Sequence, residues 1–402
     1  MNEQFVPRDG HFDQAARIWQ AAADAVDAGG TLPRQCYTDA DFLSFELETL
    51  HARSWCFAGV GSAIPDQGDA VAVEVAGQSV ILVRDDGEIR ALRNICPHRG
   101  VCLMEGEVRG ARAFTCPYHR WSYGLKGELR SRPHYYGGGK HDVHRDGTPS
   151  DVRLEQLRCE TWNDFIFLNV SGTAMPLYDY LAPLMHTFAG YDFSQMTLCG
   201  TFDLEAPANW KLVVENYMDN YHIFAAHPSI DASFPQVKRT PARAQPPSLI
   251  YNSYEMDAER TAYMGELAAN PRTGADMANR NNFLQVFPNL LLHVWPYTVM
   301  AMQLVPVAPD KTIERYFFYF YVTDGADDAE RQEQAMDAYR DINQKEDFPL
   351  ISAMQSARER GEFDQGKLSP FWDTMITDYA QQYVAMMRSV TNAPGTAATD
   401  NV

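Results

Sequence analysis

The alternation of apolar and polar residues divides the chain into stretches of different period. Over residues 11–28 an alanine-rich run carries apolar positions at helical spacing, and "DADFLSFELETLHARS" (39–54) repeats that spacing behind an aspartate placed to cap it; both predict helices. From Val60 the period drops to two. "DAVAVEVAGQSVILVRDDGEIRALRN" (69–94) alternates, is rich in valine and is broken at "AGQ" and "DDG", which predicts a β-meander. Short strands and glycine turns continue to about residue 170, ending on "DFIFLNV" (164–170). Within this part, 133–151 reads as a long loop whose His134, His141 and His144 lack a regular ligand spacing and are expected at the surface. The helical period returns in "PLYDYLAPLMHTFAGY" (176–191). A strand in "LCGTFDLEAPANW" (198–210) then leads into the helical run "KLVVENYMDNYHIFAAHP" (211–228). Strand-like runs between 283 and 322 predict a broad antiparallel sheet. Residues 324–347, with nine acids against three bases, predict an acidic helix; another begins after Pro349, and 392–402 reads as a frayed tail. The fold class is α+β.

Composition narrows the partners. The net charge is −19, with 53 acids against 34 bases, which disfavours nucleic acid and anionic membranes. Such a balance suits a basic protein partner or a cationic substrate, and equally well serves solubility alone. No segment has the form of a signal peptide or the apolar length of a membrane span. Seven cysteines, an odd number, fit a reducing, cytoplasmic setting better than a disulfide framework.

The chemistry begins in two loops of the β-rich stretch. "ICPHRG" (95–100) and "FTCPYHRWSYG" (114–124) each offer one cysteine and one histidine beside a stiffening proline. Zinc accepts two cysteines and two histidines, but zinc ribbons present cysteines in closely spaced pairs. One Cys and one His from each loop suit a binuclear cluster instead. Cys96 and Cys116 would take one iron and His98 and His119 the other, which is Rieske [2Fe–2S] ligation. Cys102, between the loops, reads as a small buried residue.

With these motifs the sequence resembles the Rieske non-haem iron oxygenases along nearly its whole length. The resemblance implies N-terminal helices (1–49) packed on a catalytic domain, an all-β Rieske domain (50–165), and a helix-grip (START/Bet v1-like) antiparallel sheet catalytic domain (166–402). It places an aromatic and a hydroxyl beside the cluster, where Trp121, Ser122 and Tyr123 stand. Arg120 departs from the family's common glycine. The resemblance also implies a mononuclear Fe(II) site, and Asp219, His222 and His227 supply D-x2-H-x4-H for it. On a continuous helix Asp219 and His222 would share a face, and Pro228 would end the helix before His227. Two histidines and one carboxylate leave positions open for O2 and substrate. The family's carboxylate lies far downstream, in "INQKEDFPLISAMQ", where Asp347 is the first choice, Glu346 the second and Asp341 the third. Asp219 would then bridge, by hydrogen bonds, an iron histidine and a cluster histidine of the neighbouring subunit in a homotrimer.

The implied activity is oxygenation of a small molecule. Electrons would come from NAD(P)H through a separate flavin/ferredoxin-type reductase, since no G-x-G-x-x-G follows a strand here. "NYMDNYHIFAAH" is more similar to the choline and betaine branch of the family than to the naphthalene branch. Trp210, Tyr217, Trp295 and Tyr297 suit a cation cage, and each serves equally well as core. Arg272 and Arg280 could instead clamp an aromatic carboxylate. Hydroxylation or N-demethylation of a quaternary ammonium compound and hydroxylation of an aromatic acid both stay open. An electron carrier with an empty second site and a zinc-bound structural protein also stay open.

Overall fold

The computed structural model describes residues 13–144, 152–233, 239–246, 248–255, 267, 269–275, 277–323 and 328–391. The expected tail at 392–402, residues 145–151 of the long loop, and the starts of two expected helices at 11–12 and 324–327 lie outside them. The chain forms two compact units, one of residues 51–180 and one of 1–50 with 181–402.

The smaller unit is all-β apart from short helical turns. The meander is present as β2 (Ala70–Val75), β3 (Gln78–Asp85) and β4 (Glu88–Arg93). Its hairpins turn at Ala76-Gly77 and Asp86-Gly87, with φ positive at all four residues, the backbone that a two-residue hairpin of matching twist requires. With β1 (Cys56–Val60), β5 (Glu107–Val108), β10 (Gln156–Trp162) and β11 (Phe165–Asn169) these strands make a seven-stranded sheet in the order β1-β11-β10-β4-β3-β2-β5. A second sheet joins β6 (Phe114–Thr115), β7 (Ser122–Tyr123), β8 (Leu129–Arg132) and β9 (Asp142–Val143). The unit runs past residue 165. That position opens β11, and Asn169 Nδ2, Ser171 N and Trp55 Nε1 donate to Ser54 O, Ala52 O and Met175 O, which ties the chain down as far as the short helix α4 (Leu177–Tyr180).

The larger unit begins with α1 (Asp13–Asp27), α2 (Gln35–Thr38) and α3 (Ala40–Glu46). Asp39 caps α3 by accepting from Phe42 N at 2.8 Å. After α5 (Ala182–Thr187), strand β12 (Thr197–Ala206) leads to α6 (Trp210–Met218), whose Asn209 cap accepts from Lys211 N at 3.1 Å. Two short helices follow, α7 (Ile223–Ala226) and α8 (Pro228–Ser233). Then come β13 (Arg243–Gln245), β14 (Leu249–Glu255), β15 (Arg280–Val286), β16 (Leu290–Val294), β17 (Thr298–Ala308) and β18 (Lys311–Phe320). The seven strands form one antiparallel sheet in the order β12-β18-β17-β16-β15-β14-β13. Helix α6 packs on β15 and β17 and against α10 (Phe348–Glu359) and α11 (Thr374–Thr391), so the sheet grips long helices.

Helix α9 (Asp328–Ile342) enters α10 through a π-helical turn, Asn343–Asp347. Pro349 in the first turn of α10 has no N–H to give and its ring crowds the carbonyl four residues back, so an unbroken α-helix is disfavoured there. Beneath α6, Lys211 and Glu46 are fully buried, with Nζ 2.8 Å from both carboxylate oxygens. Tyr383 adds a hydroxyl 2.6 Å from Glu46 Oε1. This ion pair fixes the root of the helix that leads to the site.

Candidate active site

The two Cys/His loops share one backbone design. Cys96 O accepts from Gly100 N at 2.9 Å and Cys116 O from Arg120 N at 3.0 Å; the cysteine amides donate to Val101 O and Trp121 O. The residue closing each turn is left-handed, Gly100 at φ 74° and Arg120 at φ 62°. That geometry explains why glycine suits the place of Arg120, where a side chain costs about 1–2 kcal/mol. The two thiols are buried next to each other, His98 is exposed, and the two imidazole centroids lie 4.6 Å apart. Nδ1 of His119 is shielded from solvent and has no hydrogen-bond partner. Two buried sulfurs with two imidazoles nearer the surface, one with an orphan nitrogen, fit a [2Fe–2S] group.

The neighbours of these loops also act on them. Tyr123 Oη is 3.3 Å from Cys96 Sγ, and Trp121 stacks flat on His98, with centroids 4.4 Å apart and 6° between planes. Burial pushes the Cys96 thiol up, and the Tyr123 contact opposes it. Ser122 turns away to Ser131 Oγ at 2.8 Å. Asn94, which the sequence did not single out, accepts from Leu103 N and Met104 N and donates to Cys102 Sγ and Met104 O, so it shapes the first loop and occupies Cys102. His134 and His141 contact each other at the exposed surface, and His144 pairs with Asp142 at 3.0 Å.

The second constellation gathers at the end of α6, by a route other than the expected one. The helix stops at Met218, and Asp219 takes an extended backbone, φ −79° and ψ 119°. Asp219 and His222 therefore do not share a helical face. The Asp219 carboxylate instead accepts from Tyr221 N (2.6 Å) and His222 N (3.2 Å), a local turn that competes with the helix and folds His222 back so that its Nδ1 lies 3.0 Å from Oδ2. His227 sits just outside α7, before Pro228.

Across the site, the π-turn presents two adjacent carboxylates to opposite edges of one ring. Asp347 Oδ1 is 3.1 Å from His227 Nε2 and 3.4 Å from His222 Nε2, and Glu346 Oε2 is 2.6 Å from His227 Nδ1. The two Nε2 atoms lie 3.0 Å apart. One ligand atom from each of His222, His227 and Asp347 thus falls within a 4.8 Å cluster. Both Nδ1 atoms face carboxylates, so nitrogen and oxygen lone pairs converge on one point, which only a cation satisfies. Burial resists charge here, yet Asp219 and Asp347 hold His222 up at about 9, and the two histidines bring Asp347 down to about 2. A divalent iron fits this donor set in place of the proton. Asn216 Nδ2, 3.2 Å from Asp347 Oδ1, completes the cluster and was not foreseen. Asp341 pairs with Lys345 at 2.8 Å instead.

The cluster opens on a cavity of about 510 Å³. Tyr217 and Trp295 line it, and each has a shielded polar atom, Oη and Nε1, without a hydrogen-bond partner. Tyr297 does not line it. It lies at the β16–β17 turn, where Trp295 N donates to Thr298 O. Trp210 is core, fully buried against Lys211. Arg272 pairs with Asp192 and Arg280 with Ser253 and Glu255, so neither is a clamp in the cavity. A polar chain in the wall, Tyr254–Asn281–His293–Tyr339, gave no sequence signal. Burial depresses His293 well below the ordinary histidine range, so it is neutral.

Two family models match the chain: the Rieske [2Fe-2S] domain over residues 54–137 and the ring hydroxylating alpha subunit (catalytic domain) over 193–389. The chain belongs to the Rieske non-haem iron oxygenases, with the architecture of their catalytic alpha subunit. The carnitine monooxygenase oxygenase subunit of Escherichia coli (strain K12) is 29% identical over 344 residues, covering 84% of this chain and 87% of the relative. The large oxygenase component of salicylate 5-hydroxylase from Ralstonia sp is 33% identical over 205 residues, about half of each chain (49% and 48%). Among solved structures, the quaternary ammonium Rieske monooxygenase CntA superposes with a TM-score of 0.73 at 24% identity, over 91% of this chain and 98% of the other. No helix among the described residues is long and apolar enough to cross a membrane.

Proposed function

We propose that this oxygenase oxidises a small quaternary ammonium compound, with electrons drawn from a separate NAD(P)H-dependent reductase. The observation that carries the substrate class is the charge of the cavity. Its described lining includes Asp219, Glu314, Asp341 and Asp347 and no lysine or arginine. An aromatic acid entering it would find no lysine or arginine side chain in the described lining, whereas a cation meets carboxylates and aromatic faces together. The similarity to the carnitine monooxygenase oxygenase subunit supports the same reading.

In this reading Cys96, Cys116, His98 and His119 hold the [2Fe–2S] group, and His222, His227 and Asp347 hold Fe(II). The two groups, when bound, supply one-electron storage and O2 activation. Asp219 and Glu346 fix the orientation of the two imidazoles by accepting hydrogen bonds from their Nδ1–H groups, which keeps Nε2 free for the metal. Phe283, Met300 and Met302 add apolar surface to the lining, which disfavours water beside the reacting end. Three copies would form a ring in which Asp219 of one subunit also accepts from a cluster histidine of the next. The free thiols suit the cytoplasm.

The test is O2 uptake coupled to product formation, with reductase present, on a panel of choline, betaines and hydroxybenzoates. Coupled turnover confined to quaternary ammonium compounds is the expected result. Coupled turnover of an aromatic acid, with the ammonium compounds inert, overturns the substrate class.

A further inference from the structure

Strand β18 turns alternate side chains inward, and Thr312, Glu314, Tyr316 and Phe318 are buried while Ile313 and Arg315 are less so. Glu314 is therefore an acid on the inner face of the sheet, 1% exposed, in the wall of the cavity. Its strand neighbours are Leu204 on β12 and Leu304 on β17, both apolar and buried. Its polar contact among the described residues is the Tyr316 hydroxyl, which donates to Oε2 at 2.7 Å. No ion pair to Glu314 occurs among the described residues, in contrast to the other fully buried acid, Glu46, which holds Lys211.

A carboxylate taken out of water with one neutral donor and no cation is costly, and such a group is rare unless something else supplies the charge. Asp219 and Asp347 are engaged by the histidines, and Asp341 by Lys345. Glu314 is the acid in the cavity wall left without a positive partner. Aromatic surface lies in the same wall: Phe283 stands edge-on to Tyr217, with centroids 5.6 Å apart. Burial pushes the Glu314 carboxyl up to about 8, so it stands neutral in the empty site and ionises when a cation arrives beside it.

We propose that Glu314 is the cation-binding group of the substrate site, its carboxylate pairing with the positive nitrogen of the substrate while the Tyr217 and Phe283 rings take the attached methyl groups. This inference rests on the cation reading of the cavity and adds the residue that discriminates charge. Glu314 is a specificity group here, and the iron ligands are untouched by its replacement.

The experiment uses full-length enzyme loaded with both metals, under anaerobic conditions so that nothing turns over. Calorimetric affinities are measured for choline, glycine betaine and γ-butyrobetaine, each beside the isostere in which an uncharged carbon replaces the quaternary nitrogen. Wild type is expected to prefer the cations. Glu314→Gln, the same size and uncharged, is expected to lose that preference by tenfold or more while binding the isosteres as before. Glu314→Leu, which replaces a buried acid with an apolar chain, serves as the second variant. Iron content and the visible cluster spectrum, unchanged in either, show the site intact. If wild type prefers the cations and both variants keep that preference, Glu314 is not the cation-binding group and the substrate class stands. If wild type itself shows no preference, the cation reading and this inference fall together.

Discussion

Replacing Glu346 tests which of two adjacent carboxylates holds the metal and which only steadies a ligand. Its Oε2 lies 2.6 Å from His227 Nδ1, on the far side of the ring from Asp347. A hydrogen bond to a charged group is worth roughly 1.5–3 kcal/mol and one between neutral groups roughly 0.5–1.5. Glu346→Gln keeps an oxygen to accept the His227 N–H and removes the charge, a difference of about 1–1.5 kcal/mol. The Glu346 side chain is 34% exposed, so water screens part of that difference and the lower end applies. About 1 kcal/mol corresponds to a roughly fivefold weaker hold on Fe(II). Asp347→Ala removes an atom of the triad itself and is expected to empty the site. The assay is anaerobic competition with an Fe(II) chelator, with the Rieske absorption as an internal standard that neither change should alter. If Glu346→Gln strips the iron as fully as Asp347→Ala, or if Asp347→Ala retains it, the roles are reversed and the geometric argument fails.

Asp219→Asn is expected to keep both metals and slow single-turnover oxidation of the reduced cluster by orders of magnitude, because an amide cannot accept from two imidazoles as a carboxylate does; wild-type rates would reduce Asp219 to a turn former. Lys211→Met leaves the Glu46 carboxylate buried with Tyr383 and Trp210 as remaining donors and is expected to cost about 3–5 kcal/mol in denaturant unfolding, most of it recovered in Lys211→Met/Glu46→Leu. A loss below about 1 kcal/mol would mean that the pair is not charged. His293 is held neutral by burial, so below pH 6.5 the unfolded chain takes up a proton that the folded chain refuses. Its contribution to stability falls with pH from there, by at most about 1.4 kcal/mol per unit, and His293→Gln should flatten the acid limb of a stability–pH curve; equal slopes in the two proteins would contradict this.

What the sequence disclosed was governed by distance along the chain. The Cys/His loops are self-contained turns, so spacing and two prolines sufficed to bring Cys96, His98, Cys116 and His119 into view. His222 and His227 lie within six residues on one short segment, and Pro228 marks the break between helices. Asp347 is more than a hundred residues further on, and only the family resemblance pointed to its neighbourhood. Glu346 and Asp347 were ranked against each other as alternatives, whereas the π-turn aims them at two different nitrogens of one ring. The assumption that α6 continued through His222 failed because Asp219 takes the amides of Tyr221 and His222, which ends the helical pattern. Asn216, Asn94 and the His293 chain act across strands and loops, where periodicity carries no information. Glu314 was readable in principle: in "KTIERYFFYF" it falls in register with Thr312, Tyr316 and Phe318, an acid at a position patterned for the inside. Helix α11 was passed over although Met375, Tyr379, Tyr383 and Met387 recur at helical spacing and are buried.

The π-turn at Asn343–Asp347 also sets how this chain can change in length. A turn that bonds residue i to i+5 holds one residue more than an α-helical turn, and one residue amounts to about 100° of rotation about the axis. Losing any of residues 343–346 would return the segment to ordinary helical register and swing Asp347, with all of α10 behind it, by that angle away from the two histidines. Substitutions along the outer face of α9 change its surface; a deletion between it and Asp347 changes which side chain faces the two histidines. A chain of this fold that is one residue shorter at the same turn has to bring its carboxylate to the two histidines from a different position.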